Sequence, residues 1–141
     1  MPAELSSPLT RDGGCLCGAI RFRAAGQPLR VTYCHCTQCR RHSGAPLAAF
    51  AVYRRDQVAW INGAPRHFRS SDSGRRGFCP ECGTSLTWES FPEGDEVDLG
   101  VGCFDDAGGF SPLDHLWTQS ALPWFHVDDT LPRHRRGRPK D

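Results

Sequence analysis

Seven of the eight cysteines in this chain stand in three tight clusters: Cys15-x-Cys17, Cys34-x-Cys36-x-x-Cys39 and Cys79-x-x-Cys82. Thiolates one to three residues apart converge on a soft cation more readily than they pair with one another, and a Cys-x-Cys disulfide closes a small, strained ring. Two pairs supply four sulfurs and complete a tetrahedral zinc site. A triplet supplies three and leaves one coordination position for something else.

The rest of the composition makes such staples useful. At 141 residues the chain has the length of one domain, yet only 38% of it is apolar, and it carries 15 Gly and 11 Pro. A core this lean gains from structural zinc, whose binding energy counts directly as folding energy. The formal net charge of +1 calls for no nucleic acid, membrane or acidic partner. No segment approaches the ~20 apolar residues of a membrane span. The first residues, MPAELSSPLTRDGG, lack the basic start and apolar stretch of a signal peptide. A reducing, cytoplasmic location is therefore expected, which favours metal over disulfides.

The hydrophobic pattern is that of short strands. In GCLCGAIRFRA, Ile20, Phe22 and Ala24 fall on one face and Arg21 and Arg23 on the other, the period of a half-buried strand. LRVTYCHC, PLAAFAVYR, VAWING with its Asn-Gly turn, RHFRSS, TSLTWES and EVDLGVGC are further strand candidates, the last with Val97, Leu99 and Val101 on one side. TQCRRHS, residues 37–43, fits a short helix closed by Gly44. HLWTQSALPWF closes the domain with aromatics. The expectation is an all-β domain of about eight to ten short antiparallel strands with little helix. A flexible leader is expected over 1–12, the zinc-binding domain over 13–131 and a loose basic tail over 132–141.

Cys79-Pro80-Glu81-Cys82-Gly83 is a zinc knuckle, in which the glycine takes a positive φ so that backbone N–H groups face the sulfurs. Cys15-Leu16-Cys17-Gly18 ends the same way. Together they make a closed four-sulfur site across some sixty residues, and a redox Cys-x-x-Cys couple lacks its βαβ context here. For the Cys34/Cys36/Cys39 triplet two readings stand. It is a second structural zinc, with Cys103, His42, His35 or His115 as candidate fourth ligand, or its fourth position serves chemistry. His35, between two ligands in a strand, points to the opposite face. Cys103 reads as a buried small apolar group. Three thiolates leave zinc a weak activator of water but well suited to a substrate thiolate.

GGCLCGAIRF, YCHCTQCRRHSGAP, GRRGFCPECGTSL and DHLWTQSALPW together resemble the glutathione-dependent formaldehyde-activating (GFA) family, which includes centromere protein V. The resemblance runs from about 13 to 126. It implies an Mss4-like, β-tent fold with two zinc ions per chain. Cys15, Cys17, Cys79 and Cys82 match the structural zinc ligands, and Cys34, Cys36 and Cys39 the catalytic ones. It further implies a carbon–sulfur lyase that condenses glutathione with formaldehyde to S-hydroxymethylglutathione, with glutathione as co-substrate. Arg40 and Arg41, directly after the last ligand, are candidate contacts for a glutathione carboxylate. His42 and His115 are candidate proton shuttles. Trp117 and Trp124 read as core, and Arg75-Arg76 as an exposed turn. The tail, with Arg133, Arg135, Arg136, Arg138 and Lys140, lacks interleaved aromatics, so nucleic acid is not an expected partner. The alternatives are a non-enzymatic zinc-stabilised module and an enzyme acting on a different thiol or thioether.

Overall fold

The structure is a computed structural model that describes residues 9–139. Ten strands form two sheets, with a single α-helix among the described residues. The strands are β1 (Thr10–Gly14), β2 (Arg21–Ala25), β3 (Arg30–Cys34), β4 (Ala48–Arg54), β5 (Val58–Asn62), β6 (Arg66–Ser71), β7 (Gly74–Phe78), β8 (Ser85–Ser90), β9 (Glu96–Gly100) and β10 (His115–Leu116). The helix, α1, spans Thr37–Ser43. The smaller sheet has the order β1-β2-β5 and the larger β10-β3-β4-β9-β8-β7-β6. All pairings are antiparallel except that of β10 with β3. The expected all-β architecture of short strands is thus the one observed.

The core lies where the alternation placed it. Ile20, Phe22 and Ala24 are buried, while Arg21 and Arg23 turn outward onto Asp105 and Asp12. Phe22 meets Trp60 and Phe104 edge-on, with ring centroids 5.7 and 5.0 Å apart. Val31, Ala51, Tyr53, Leu86, Val97 and Leu99 of the larger sheet complete the same cluster. Edge-to-face pairs of this kind add about 0.5–1.5 kcal/mol each beyond the area they bury.

Several local expectations change. Arg75-Arg76 is not an exposed turn: both lie in β7, and Arg76 is only 5% exposed. Trp124 is surface rather than core, at 67% exposure, and Trp117 is half-buried. Val101 leaves the strand for a 3-10 turn. Parts of the expected leader and tail also pair with the strands. Thr10–Asp12 of the expected leader pair with β2, and residues 1–8 lie outside the described residues.

Much of the expected tail runs alongside β10. His115 and Trp117 donate their N–H groups to the carbonyls of Pro132 and Arg136, and His134 donates to His115. Arg138 makes a two-point contact with Asp114, at 2.7 and 2.8 Å, and the Asp114 carboxylate also accepts from Thr32. A carboxylate as buried as Asp114 needs such partners, and the basic tail supplies one of them. Lys140 lies outside the described residues. No helix among the described residues is long and apolar enough to cross a membrane.

Candidate metal centres

The two outer clusters meet. Cys15 follows β1, Cys17 sits in the turn to β2, and Cys79 and Cys82 occupy the turn from β7 to β8. Their sulfurs all lie within 4.8 Å of one another. The two turns share one design: Gly18 and Gly83 have φ of +82° and +81° and return their N–H groups to the carbonyls of Cys15 and Cys79. Only glycine adopts that backbone without strain. Backbone N–H groups of Ile20, Glu81 and Cys82 then donate to the sulfurs of Cys15 and Cys79. The Thr84 hydroxyl accepts from Leu16 N–H across the two turns, and its contact with Cys82 draws that thiol down to about 5.

The donor set fits zinc. Zn–S bonds of about 2.3 Å set tetrahedral sulfurs about 3.8 Å apart. The Cys15–Cys17 and Cys17–Cys79 sulfurs are 3.6 and 3.9 Å apart, and all four cysteines are free of disulfides. This centre ties the small sheet to the large one.

The middle cluster is built differently. Cys34 ends β3, Cys36 is the N-cap of α1 and Cys39 lies in its first turn. The Cys36 sulfur accepts the Cys39 N–H at 3.2 Å, doing the work of a serine or aspartate cap. Gly44 closes the helix in the left-handed region, as its position after TQCRRHS foretold. The three sulfurs lie within 4.8 Å of one another. Among the described residues no fourth His, Cys, Asp or Glu joins them.

Contact between these thiols prevents all three from ionising unaided. Hydrogen bonds from Cys34 and Cys39 hold Cys36 down to about 2, while contact with Cys36 drives Cys34 upward. A cation is what allows three thiolates to coexist there, so this set also fits a soft metal. One cation is already present. Both terminal nitrogens of Arg76 lie 3.6 Å from the Cys39 sulfur, delivered from β7 across 37 residues of sequence.

The three cysteines border a cavity of about 500 Å³. Its apolar wall is Phe50, Trp88, Leu116 and Trp117, and its polar lining includes Gln38, Gln119 and Ser120. Arg76 and Asp98 are its two charged residues among those described. The sequence alone places Arg76 in an exposed turn and does not single out Asp98. A second cavity of about 630 Å³ lies beyond Cys39, Phe50 and Arg76, which border both.

The other residues singled out from the sequence sit elsewhere. Arg41 borders the second cavity and Arg40 neither, so the pair does not line the three-cysteine cavity. His42 also faces the second cavity, and burial together with Arg76 depresses its basicity. His35 lies just past the end of β3 and faces His115 rather than the cysteine cavity. Its Nε2 lies 2.8 Å from His115 Nδ1, and His115 Nε2 lies 2.9 Å from Asp129. Because the carboxylate accepts from His115 Nε2–H, a neutral His115 presents a bare Nδ1, which accepts from His35. This chain braces the back of the Cys34–Cys36 loop and lines a third cavity of about 300 Å³, not the cysteine cavity. Cys103 is half-buried, its thiol donating to the Ser85 carbonyl, and it joins neither cluster.

Comparison with known proteins adds three findings. A family model described as glutathione-dependent formaldehyde-activating enzyme matches residues 10–120. A Schizosaccharomyces pombe protein described as an uncharacterized lyase is 33% identical over 75 residues, which cover 53% of this chain and 54% of that protein. The match thus spans about half the length of the curated relative. A Rhodobacter sphaeroides protein of known crystal structure superposes with a TM-score of 0.54 at 18% identity, covering 86% of this chain and 98% of that one. That likeness is one of fold.

Proposed function

The chain belongs to the glutathione-dependent formaldehyde-activating family, and on that premise we propose that it is a zinc-dependent carbon–sulfur lyase. It joins a thiol of glutathione type to a small aldehyde such as formaldehyde, or releases one from the other. The observation that carries this reading is the contrast in donor number: four sulfurs converge at the knuckles, but three converge beside a cavity. The lyase description of the S. pombe relative points the same way.

Cys15, Cys17, Cys79 and Cys82 would hold a structural zinc, and Cys34, Cys36 and Cys39 a catalytic one. Zinc on three thiolates has net charge −1 and stabilises a further thiolate at neutral pH. The protein's own residues do the rest. Arg76 offsets the negative charge that three thiolates on zinc would leave, which eases the approach of a substrate thiolate. Trp88, Trp117, Leu116 and Phe50 exclude water, which strengthens that interaction. Gln38, Gln119 and Ser120 offer amide and hydroxyl groups to a peptide-like thiol such as glutathione. In the reaction the thiol loses its proton, a C–S bond forms, the carbonyl π pair moves to oxygen and that oxygen takes a proton. The site needs no oxidant and no second cofactor for this.

The uncatalysed reaction is itself measurable, so the test is the rate of exchange. Exchange NMR of glutathione and formaldehyde with the zinc-loaded chain should show acceleration that disappears in Cys36→Ser. In the cobalt-substituted chain, glutathione should change the thiolate–cobalt absorption bands. Unchanged bands at saturating glutathione, with no acceleration of exchange, would overturn the reading.

A further inference from the structure

The mechanism above leaves one role unfilled: a group that moves a proton between sulfur and oxygen. We propose that Asp98 is the acid–base catalyst of the three-cysteine cavity, giving a proton to the aldehyde oxygen and recovering one from the thiol. This rests on the thiol–aldehyde reading of the site.

The register of the large sheet places it there. Val52, Asp98, Trp88 and Arg76 are consecutive cross-strand partners on β4, β9, β8 and β7, so all four project from one face. Trp88 packs against the cluster formed by Cys34, Cys39 and Phe50. Its indole fits because Gly74 lacks a side chain; a Cβ there would stand 2.7 Å from the indole nitrogen. Trp88 also stands between Arg76 and Asp98, whose strands are two spacings, about 10 Å, apart. Asp98 therefore lines the cavity with the cysteines and forms no hydrogen bond or ion pair among the described residues.

The opposite face shows what a structural carboxylate looks like in this protein. Glu89, beside Trp88 in the same strand, is 3% exposed and meets Arg55 at 2.6 Å, His67 at 2.7 Å and Arg75 at 3.1 Å. Burial alone would raise its pKa, but these three partners hold it below the usual range. Asp98 has no such partners, and withdrawal from water pushes it up to about 7. Of the charged groups around it, Arg30 on β3 and Arg76 on β7 pull it down, while Glu96 on β9 and Glu89 on β8 push it up. Arg54, the next charged residue on β4, is engaged by Asp56. A carboxyl of this kind holds both protonation states at neutral pH, as general acid–base catalysis requires.

The step balances without another reactant. As the thiolate sulfur attacks the carbonyl carbon, the π pair moves to oxygen, and the Asp98 O–H bond breaks to protonate it. The carboxylate then takes up the proton displaced from the next thiol. The reverse sequence splits the hemithioacetal.

The test uses the full zinc-loaded chain and the variants Asp98→Asn and Asp98→Glu. Asp98→Asn should keep both metals and lower kcat by at least about 100-fold, leaving the thiol KM within a few-fold. The limb of the pH–rate profile near 7 should vanish, and Asp98→Glu should restore part of the rate. A second readout is independent of activity. A raised carboxyl pKa costs stability as pH climbs from about 4 to about 7, so wild type should lose stability relative to Asp98→Asn across that window in urea unfolding. Unchanged kcat in Asp98→Asn with an active wild type overturns Asp98's role alone, as does a stability difference that is flat with pH. A wild type that accelerates no thiol–aldehyde exchange overturns the thiol–aldehyde reading and this role together.

Discussion

The two cysteine centres use the same ligand and reach it by opposite routes. At the knuckles, each sulfur pair comes from one tight turn, the N–H donors are local backbone, and four sulfurs satisfy one another. At the second centre, three sulfurs come from a strand end and a helix cap, and the charged partner is a side chain from a strand four places away in the sheet order. A closed site can be assembled from local turns. A site meant to receive something must be walled by distant residues, because the cavity is made of whatever the sheet brings alongside. The first centre should therefore govern folding and the second should govern chemistry.

The sharpest way to break this comparison is to remove one sulfur from each centre. Cys82→Ser should abolish cooperative unfolding or lower Tm by at least about 10 °C, since structural zinc in small domains supplies about 10–16 kcal/mol of apparent binding free energy. Cys36→Ser should bind one metal fewer and lose exchange activity, yet keep Tm within about 5 °C of wild type. Metal content by mass spectrometry together with thermal unfolding reads both. Equal losses of Tm would show that both centres are structural.

Arg76 offers a smaller, more specific break. Arg76→Ala leaves the Cys39 sulfur without its cation, and removal of a group that supports a metal ligand typically costs about 10–100-fold in affinity or activity. The knuckle centre should keep its metal throughout. Arg76→Lys should recover little, because one ammonium cannot reproduce two guanidinium contacts at 3.6 Å. A competition titration with a chromogenic chelator would resolve the two metals. Equal weakening of both would mean that Arg76 supports the fold rather than the site.

What could be read from the sequence follows the same division. The cysteine spacing exposed the donors, and the alternation of Ile20, Phe22 and Ala24 exposed a core face, because both signals are local. β7 escaped notice since GRRGF shows no apolar alternation. Its Gly74 and Gly77 are instead required by Trp88 and Thr87 of the next strand, whose side-chain atoms an added Cβ would overlap. With β7 went Arg76, which looks in sequence like any of sixteen arginines. Asp98 was half legible: turning Val97 and Leu99 inward puts it on the other face, but only the register with Trp88 and Arg76 reveals a cavity there. The position of Arg40 and Arg41 beside Cys39 in the chain did not bring them into the three-cysteine cavity, because a helical residue's neighbours along the sequence point around the helix rather than along one side.

The smallest effect concerns how each centre is braced. The knuckles brace each other, but Cys34 ends a strand whose outer neighbour is the two-residue β10. That strand is held from outside by residues 132–136, and Arg138 anchors the same segment to Asp114. Arg138→Ala should cost about 1–3 kcal/mol, the range for losing hydrogen bonds to a charged group, because Asp114 stays buried with only Thr32 and the more distant His134 for partners. Urea unfolding would measure the loss. If the outer strand braces only the three-cysteine centre, the variant should release metal from that centre faster while leaving the knuckle metal as firmly held as in wild type. Equal release rates at both centres would make the docked segment a brace for the whole domain.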